Sequence, residues 1–167
     1  MNRAITNAVT VLLLTLAALG APAATKEKLV DFTGTWKLNM KKSTGGPDWR
    51  PETVLVVLQS PQQIHFTYFL NQDARQPFES HDYVTNGKET KLYVAATEEV
   101  YASVRWTGKN VLQVRMHHLV RHEISDTDWT EIDTWTISDD GKTLTNKLSD
   151  GKFIVYDRAE KEKALQY

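Results

Sequence analysis

The chain has no cysteine, so nothing in it forms a disulfide or a thiolate nucleophile. Thiol catalysis and cysteine-held metal centres are excluded. It has no surplus of charge of one sign either. Lys and Arg number 20 against 21 Asp and Glu, for a formal net charge of −1. That balance gives no electrostatic reason to expect a nucleic acid or an anionic membrane as partner. Long apolar runs are missing as well. The longest, Ala8–Gly20, is shorter than the roughly 20 residues a membrane span needs. Familiar catalytic signatures are absent too. No Gly-x-Ser-x-Gly elbow, glycine-rich phosphate loop or His-Glu-x-x-His occurs.

What is present begins with an address. Arg3 precedes the apolar run, and Ala21-Pro22-Ala23 follows it. A basic start, a short apolar stretch and small residues at the cleavage site make a secretory signal. Residues 1–23 are therefore expected to be removed, leaving a secreted or periplasmic protein without a stable membrane anchor. Residues 24–158 are one domain by size. Residues 159–167, AEKEKALQY, make a charged tail or short helix. With no disulfides, packing and backbone hydrogen bonds must supply the stability.

The domain reads as strands almost throughout. Apolar and polar residues alternate in ten short segments: Gly34–Met40, Thr53–Gln59, Gln63–Leu70, Phe78–Val84, Glu89–Ala96, Val100–Thr107, Val111–Glu123, Trp129–Ser138, Lys142–Leu148 and Lys152–Arg158. Asn86-Gly87, Gly108-Lys109-Asn110, Asp139-Asp140-Gly141 and Asp150-Gly151 separate them and supply the positive-φ residues that tight hairpins need. Short links imply antiparallel neighbours. With no helix to cover it, a sheet buries its apolar face against itself, and closing into a barrel also removes its edges. The expected fold is all-β, an antiparallel up-and-down barrel of about 8–10 strands. A two-sheet sandwich shares the same strand signature. Lys41–Glu52 is rich in Gly, Pro and charge, and reads as a long loop between the first two strands.

Gly34-x-Trp36 opens the first strand and Arg158 closes the last. In these positions the chain resembles secreted lipocalin-like (calycin) domains. The resemblance implies that Trp36 sits at the closed end of the barrel under Arg158, as a structural pair. It implies a ligand site in the barrel interior and a lid formed by Lys41–Glu52. Ten segments match the fatty-acid-binding branch in number, but Lys41–Glu52 is too short and too rich in Gly and Pro for that branch's helical pair.

The candidate site residues follow from the faces. Phe66 and Tyr68 share a face with Ile64, Trp106 with Val104, and Trp135 with Ile137. Leu112, Val114, Met116 and His118 form the more apolar face of their strand. An inward-facing set of this kind makes an apolar pocket with a few polar handles. The expected ligand wall is Phe66, Tyr68, Trp106, Met116 and His118, with Trp49 on the lid, and the expected partner is a small hydrophobic molecule. The same aromatics can also fill a small barrel completely, leaving a protein that works through its surface. A third reading is an enzyme with His118 and an acid such as Asp133 as acid and base.

No metal or other cofactor is expected. His117 and His118 point to opposite faces, and His118 and His122 lie roughly 13 Å apart at about 3.3 Å per residue. His118 alone could ligate haem iron, but the glycine-rich opening of haem-binding barrels is missing. A hydrogen bond from His118 to Thr134 or Asp133 is the commoner arrangement. The carboxylates Glu98, Glu99, Asp126, Asp128, Glu131 and Asp133 read as solvated surface, with Arg121 and Glu131 as a cross-strand pair.

Overall fold

The structure is a computed structural model, and it describes residues 28–44, 53–71 and 75–159. The expected signal segment, Trp49 with most of the expected lid, and the charged tail beyond Ala159 lie outside the described residues.

Among the described residues there are ten strands and no helix: β1 (Gly34–Leu38), β2 (Val54–Gln59), β3 (Gln63–Phe69), β4 (Glu79–Val84), β5 (Asn86–Val94), β6 (Glu98–Gly108), β7 (Val111–Val120), β8 (Thr127–Ile137), β9 (Thr143–Lys147) and β10 (Phe153–Arg158). One sheet holds them all in the order β4-β3-β2-β1-β10-β9-β8-β7-β6-β5, every pair antiparallel. A single continuous sheet excludes the sandwich. The first strand pairs with the last, so the sheet curls into a barrel whose two edges are β4 and β5.

Those edges are neighbours in sequence, joined by Thr85, yet no ladder connects them. The Asn86-Gly87 hairpin expected between them is therefore not a paired hairpin. Asn86 already belongs to β5 and pairs with Arg105 on β6. Irregularities between Asn86 and Glu89 and between Lys91 and Tyr93 bend β5, and such bulges increase local twist and end pairing. The barrel is left open along this seam. By contrast, Gly141 (φ 69°) and Gly151 (φ 86°) sit in the tight β8–β9 and β9–β10 turns, a conformation that favours glycine.

Alternation decides what fills the barrel. Leu55, Val57, Ile64, Phe66, Val104, Leu112, Ile137, Leu144 and Ile154 point inward and are almost wholly buried. At one end, Trp36 and Arg158 are register partners, and the guanidinium lies 4.2 Å from the indole centroid. Arg158 Nε donates to Gly141 O (2.6 Å), Nη1 to Thr33 O (2.7 Å) and Nη2 to Asp31 O (3.4 Å). Trp36 Nε1 donates to Phe32 O at 3.1 Å. Phe32 packs edge-on against Trp106, with ring centroids 5.2 Å apart. The segment before β1 thus crosses and seals this end.

At the other end, the described start of the expected lid does not cover the opening. Ser43 and Thr44 lie along β10, where their hydroxyls accept from the amides of Val155 (2.9 Å) and Phe153 (2.5 Å). They continue the ladder past the end of β1.

Candidate functional site

Residues of β3 to β9 line a half-open cavity of about 840 Å³ that includes both faces of β4 and β5 at the seam. It opens at the end opposite Trp36 and along the β4–β5 seam. Tyr68, Val100, Val114, Met116 and Trp135 give it apolar and aromatic walls. Val114, Met116 and His118 come from one face of β7, and Trp135 and Asp133 from the facing side of β8, because β7 and β8 pair Val114 with Asp133 and His118 with Trp129.

Polar groups collect toward the mouth. On β4, Glu79 Oε1 meets His81 Nε2 at 2.9 Å, and the His81 ring stacks on Tyr83 with centroids 5.7 Å apart. On β6 and β7, His118 Nδ1 lies 3.3 Å from Glu98 Oε1. The His118 ring stacks flat on Trp129, with centroids 4.6 Å apart and planes 3° from parallel. Its Nε2 is buried without a hydrogen-bond partner, and Glu131 Oε2 stands 3.9 Å away. On β8 and β9, Asn146 Nδ2 donates to Asp133 Oδ2 at 3.2 Å. Asn146 is 1% exposed, and its Oδ1 accepts no hydrogen bond. Burial, and then the negative charges of Glu79 and Asp133, push the Tyr83 phenol well above its ordinary value.

Several expectations are corrected here. Glu98, Glu131 and Asp133 share the inward face with Val100 and Trp135 rather than the outer surface; Glu98 and Glu131 are nonetheless solvated there, with side chains 36% and 41% exposed. Glu98 and Glu99 belong to β6, not to a loop. Arg121 does not pair with Glu131, which turns inward; it meets Glu99 at 3.2 Å on the outer face. His118 bonds neither Thr134 nor Asp133, because the β7–β8 register sets it beside Trp129.

The residues singled out for the ligand wall are placed in three ways. Tyr68, Met116 and His118 line the cavity. Phe66 is fully buried beneath it, 4.8 Å from Trp135 between ring centroids. Trp106 stands at the sealed end against Phe32. Glu79, His81 and Asn146 were not singled out. For Asn146 a signal exists in the sequence, because it interrupts the apolar face Leu144-x-Asn146-x-Leu148; Glu79 and His81 stand on a face that is apolar at Tyr83 alone. His117 points outward between Glu89 (3.4 Å) and Asp128 (2.9 Å). Among the described residues, no group of three or more His, Cys, Asp or Glu could hold a metal ion.

Fold and site together define a class: a ten-stranded up-and-down β-barrel, plugged at one end by a Trp–Arg pair and hollow at the other. No family model matches the chain, and no curated protein matches it. Among solved structures it is similar to a crystal structure of a mutant of the fluorescent protein UnaG. The two are 17% identical, the match covers 78% of this chain and 97% of that one, and the TM-score is 0.49.

Proposed function

We propose that the protein is a calycin-type binding protein, secreted or periplasmic, that holds a small molecule in the open-end cavity. One observation carries this reading. A half-open cavity of about 840 Å³ runs into the barrel from its mouth and seam, within the roughly 300–1,000 Å³ of small-molecule sites. A filled barrel acting through its surface leaves that volume unexplained. Tyr68, Met116 and Trp135 offer the ligand an apolar wall, and His118, Asp133 and Asn146 offer it polar handles.

Native mass spectrometry of the protein purified from its own host tests this. The expected result is a bound mass that is lost on denaturation, on a chain starting at Ala24 and recovered outside the cytoplasm. A clean ligand-free mass, or a cytoplasmic chain retaining Met1, counts against it.

A second reading rests on the His118–Glu98 contact. An imidazole held by a carboxylate in a cavity wall has the parts of a general base. Geometry of this kind licenses no particular reaction. A recovered ligand that returns chemically altered after incubation with the protein would favour it.

A further inference from the structure

The cavity has a sign. Glu79, Glu98 and Asp133 line it, and Glu131 stands behind His118. Among the described lining residues, the strong base is Lys91. Its ammonium is already engaged, 3.3 Å from Glu99 and 5.2 Å from the Tyr101 ring centroid. The Arg158 guanidinium is committed to three carbonyls at the sealed end. His81 and His118 each sit against a carboxylate. Even with both imidazoles protonated, the four carboxylates leave the interior negative. An anionic ligand would find like charges and, among the described lining residues, no cation that is not already engaged.

A second observation points the same way. Asn146 is buried to 1% exposure and lines the cavity with Oδ1 unpaired. Its amide orientation is fixed by Asp133, because a carboxylate accepts only from the Nδ2 side. A buried acceptor without a donor costs stability, and a ligand N–H would satisfy it. Trp135 lies directly opposite Asn146 in the β8–β9 register, and Asp133 is on the same face of β8. An aromatic surface, an unpaired acceptor and a carboxylate therefore adjoin one another. Aromatic faces and carboxylates both attract cations.

We infer that the cavity takes an organic cation with an aromatic body, its N–H groups directed to Asn146 Oδ1 and the Asp133 carboxylate and its ring against Trp135. This rests on the binding function proposed above and specifies its ligand class.

Three probes with one skeleton separate the possibilities: tryptamine (cationic), tryptophol (neutral) and indolepropionate (anionic), titrated calorimetrically into the mature protein. Tryptamine should bind more tightly than indolepropionate by about tenfold or more, a difference of about 1.4 kcal/mol, and added salt should narrow the gap. Asn146→Leu and Asp133→Asn should each weaken tryptamine by about tenfold, the scale of one hydrogen bond to a charged group. Circular dichroism confirms that each variant is folded. Equal or tighter binding of tryptophol or indolepropionate overturns the cationic ligand and leaves the binding function standing. Unchanged tryptamine affinity in both folded variants overturns the placement. If none of the three binds while native mass spectrometry finds a bound mass, the cation inference falls alone. If neither finds a ligand, both fall.

Discussion

The two ends of the barrel are built from the same alternating strands and differ in how completely their polar atoms are used. At the sealed end, Arg158 spends its guanidinium on three backbone carbonyls and a tryptophan face, and the Trp36 indole N–H has its acceptor. At the open end, Asn146 Oδ1 and His118 Nε2 are buried without hydrogen-bond partners, and carboxylates line a cavity. An unsatisfied buried polar atom costs about 1–3 kcal/mol. One end is organised for stability. The other keeps unfavourable features of the kind that binding sites carry.

The strongest way to break this contrast is at the plug. Trp36→Ala removes a fully buried indole and the surface on which Arg158 rests. It should cost about 3–5 kcal/mol, read as a lower urea midpoint. A loss below 1 kcal/mol would mean that the sealed end is not the stable one.

Next comes Gly34→Ala. A Cβ there would stand 2.6 Å from Arg158 Nη1, so the guanidinium would have to shift off Thr33 O. The cost should be about 1–3 kcal/mol, as for other overpacked sites. Arg158→Lys, which loses the same fork of donors, should move the unfolding midpoint in the same direction.

The open end should respond weakly. Asn146→Leu removes an unpaired acceptor along with the hydrogen bond to Asp133. Its thermal stability should stay within about 1 kcal/mol of the parent, because the two changes oppose each other. A loss as large as that of Trp36→Ala would show that Asn146 is structural and erase the distinction between the ends.

The smallest effect at neutral pH is at Tyr83. Its phenol is raised by burial and by Glu79 and Asp133. A raised acid is protonated in the folded state while the unfolded state ionises near pH 10. Its contribution is therefore complete below that pH and is lost as pH rises through the folded value. Unfolding midpoints measured from pH 8 upward should fall above about pH 10 in the parent and fall less in Tyr83→Phe. Equal slopes would show that neither burial nor the neighbouring acids raise the Tyr83 phenol.

Much of the fold is legible in the chain because a strand's period of two needs no tertiary information. All ten strands, the inward face of β7 and the Trp36–Arg158 pairing can be read from alternation and end motifs. Boundaries drift where charge meets alternation. Glu98 and Glu99 look like a loop, but the β6–β7 ladder carries them to Val120 and Leu119. The site is only partly legible. His118, Met116 and Tyr68 can be found because they stand on plainly apolar faces. Glu131 is hidden among polar neighbours, Asn146 shows only as a polar break between Leu144 and Leu148, and the direction of both depends on register, which one residue's slip would reverse.

By itself, the sequence determined where the ten strands run, that side chains alternate between two faces along each, and that a tryptophan opens the first strand and an arginine closes the last. These are local properties of backbone geometry and side-chain alternation. Tertiary structure alone decided that β4 and β5 part, that the interior stays hollow on that side, and that acids from β4, β6 and β8 meet there around an unpaired amide. Those facts depend on how strands far apart in the chain close on one another, and no local pattern encodes that closure.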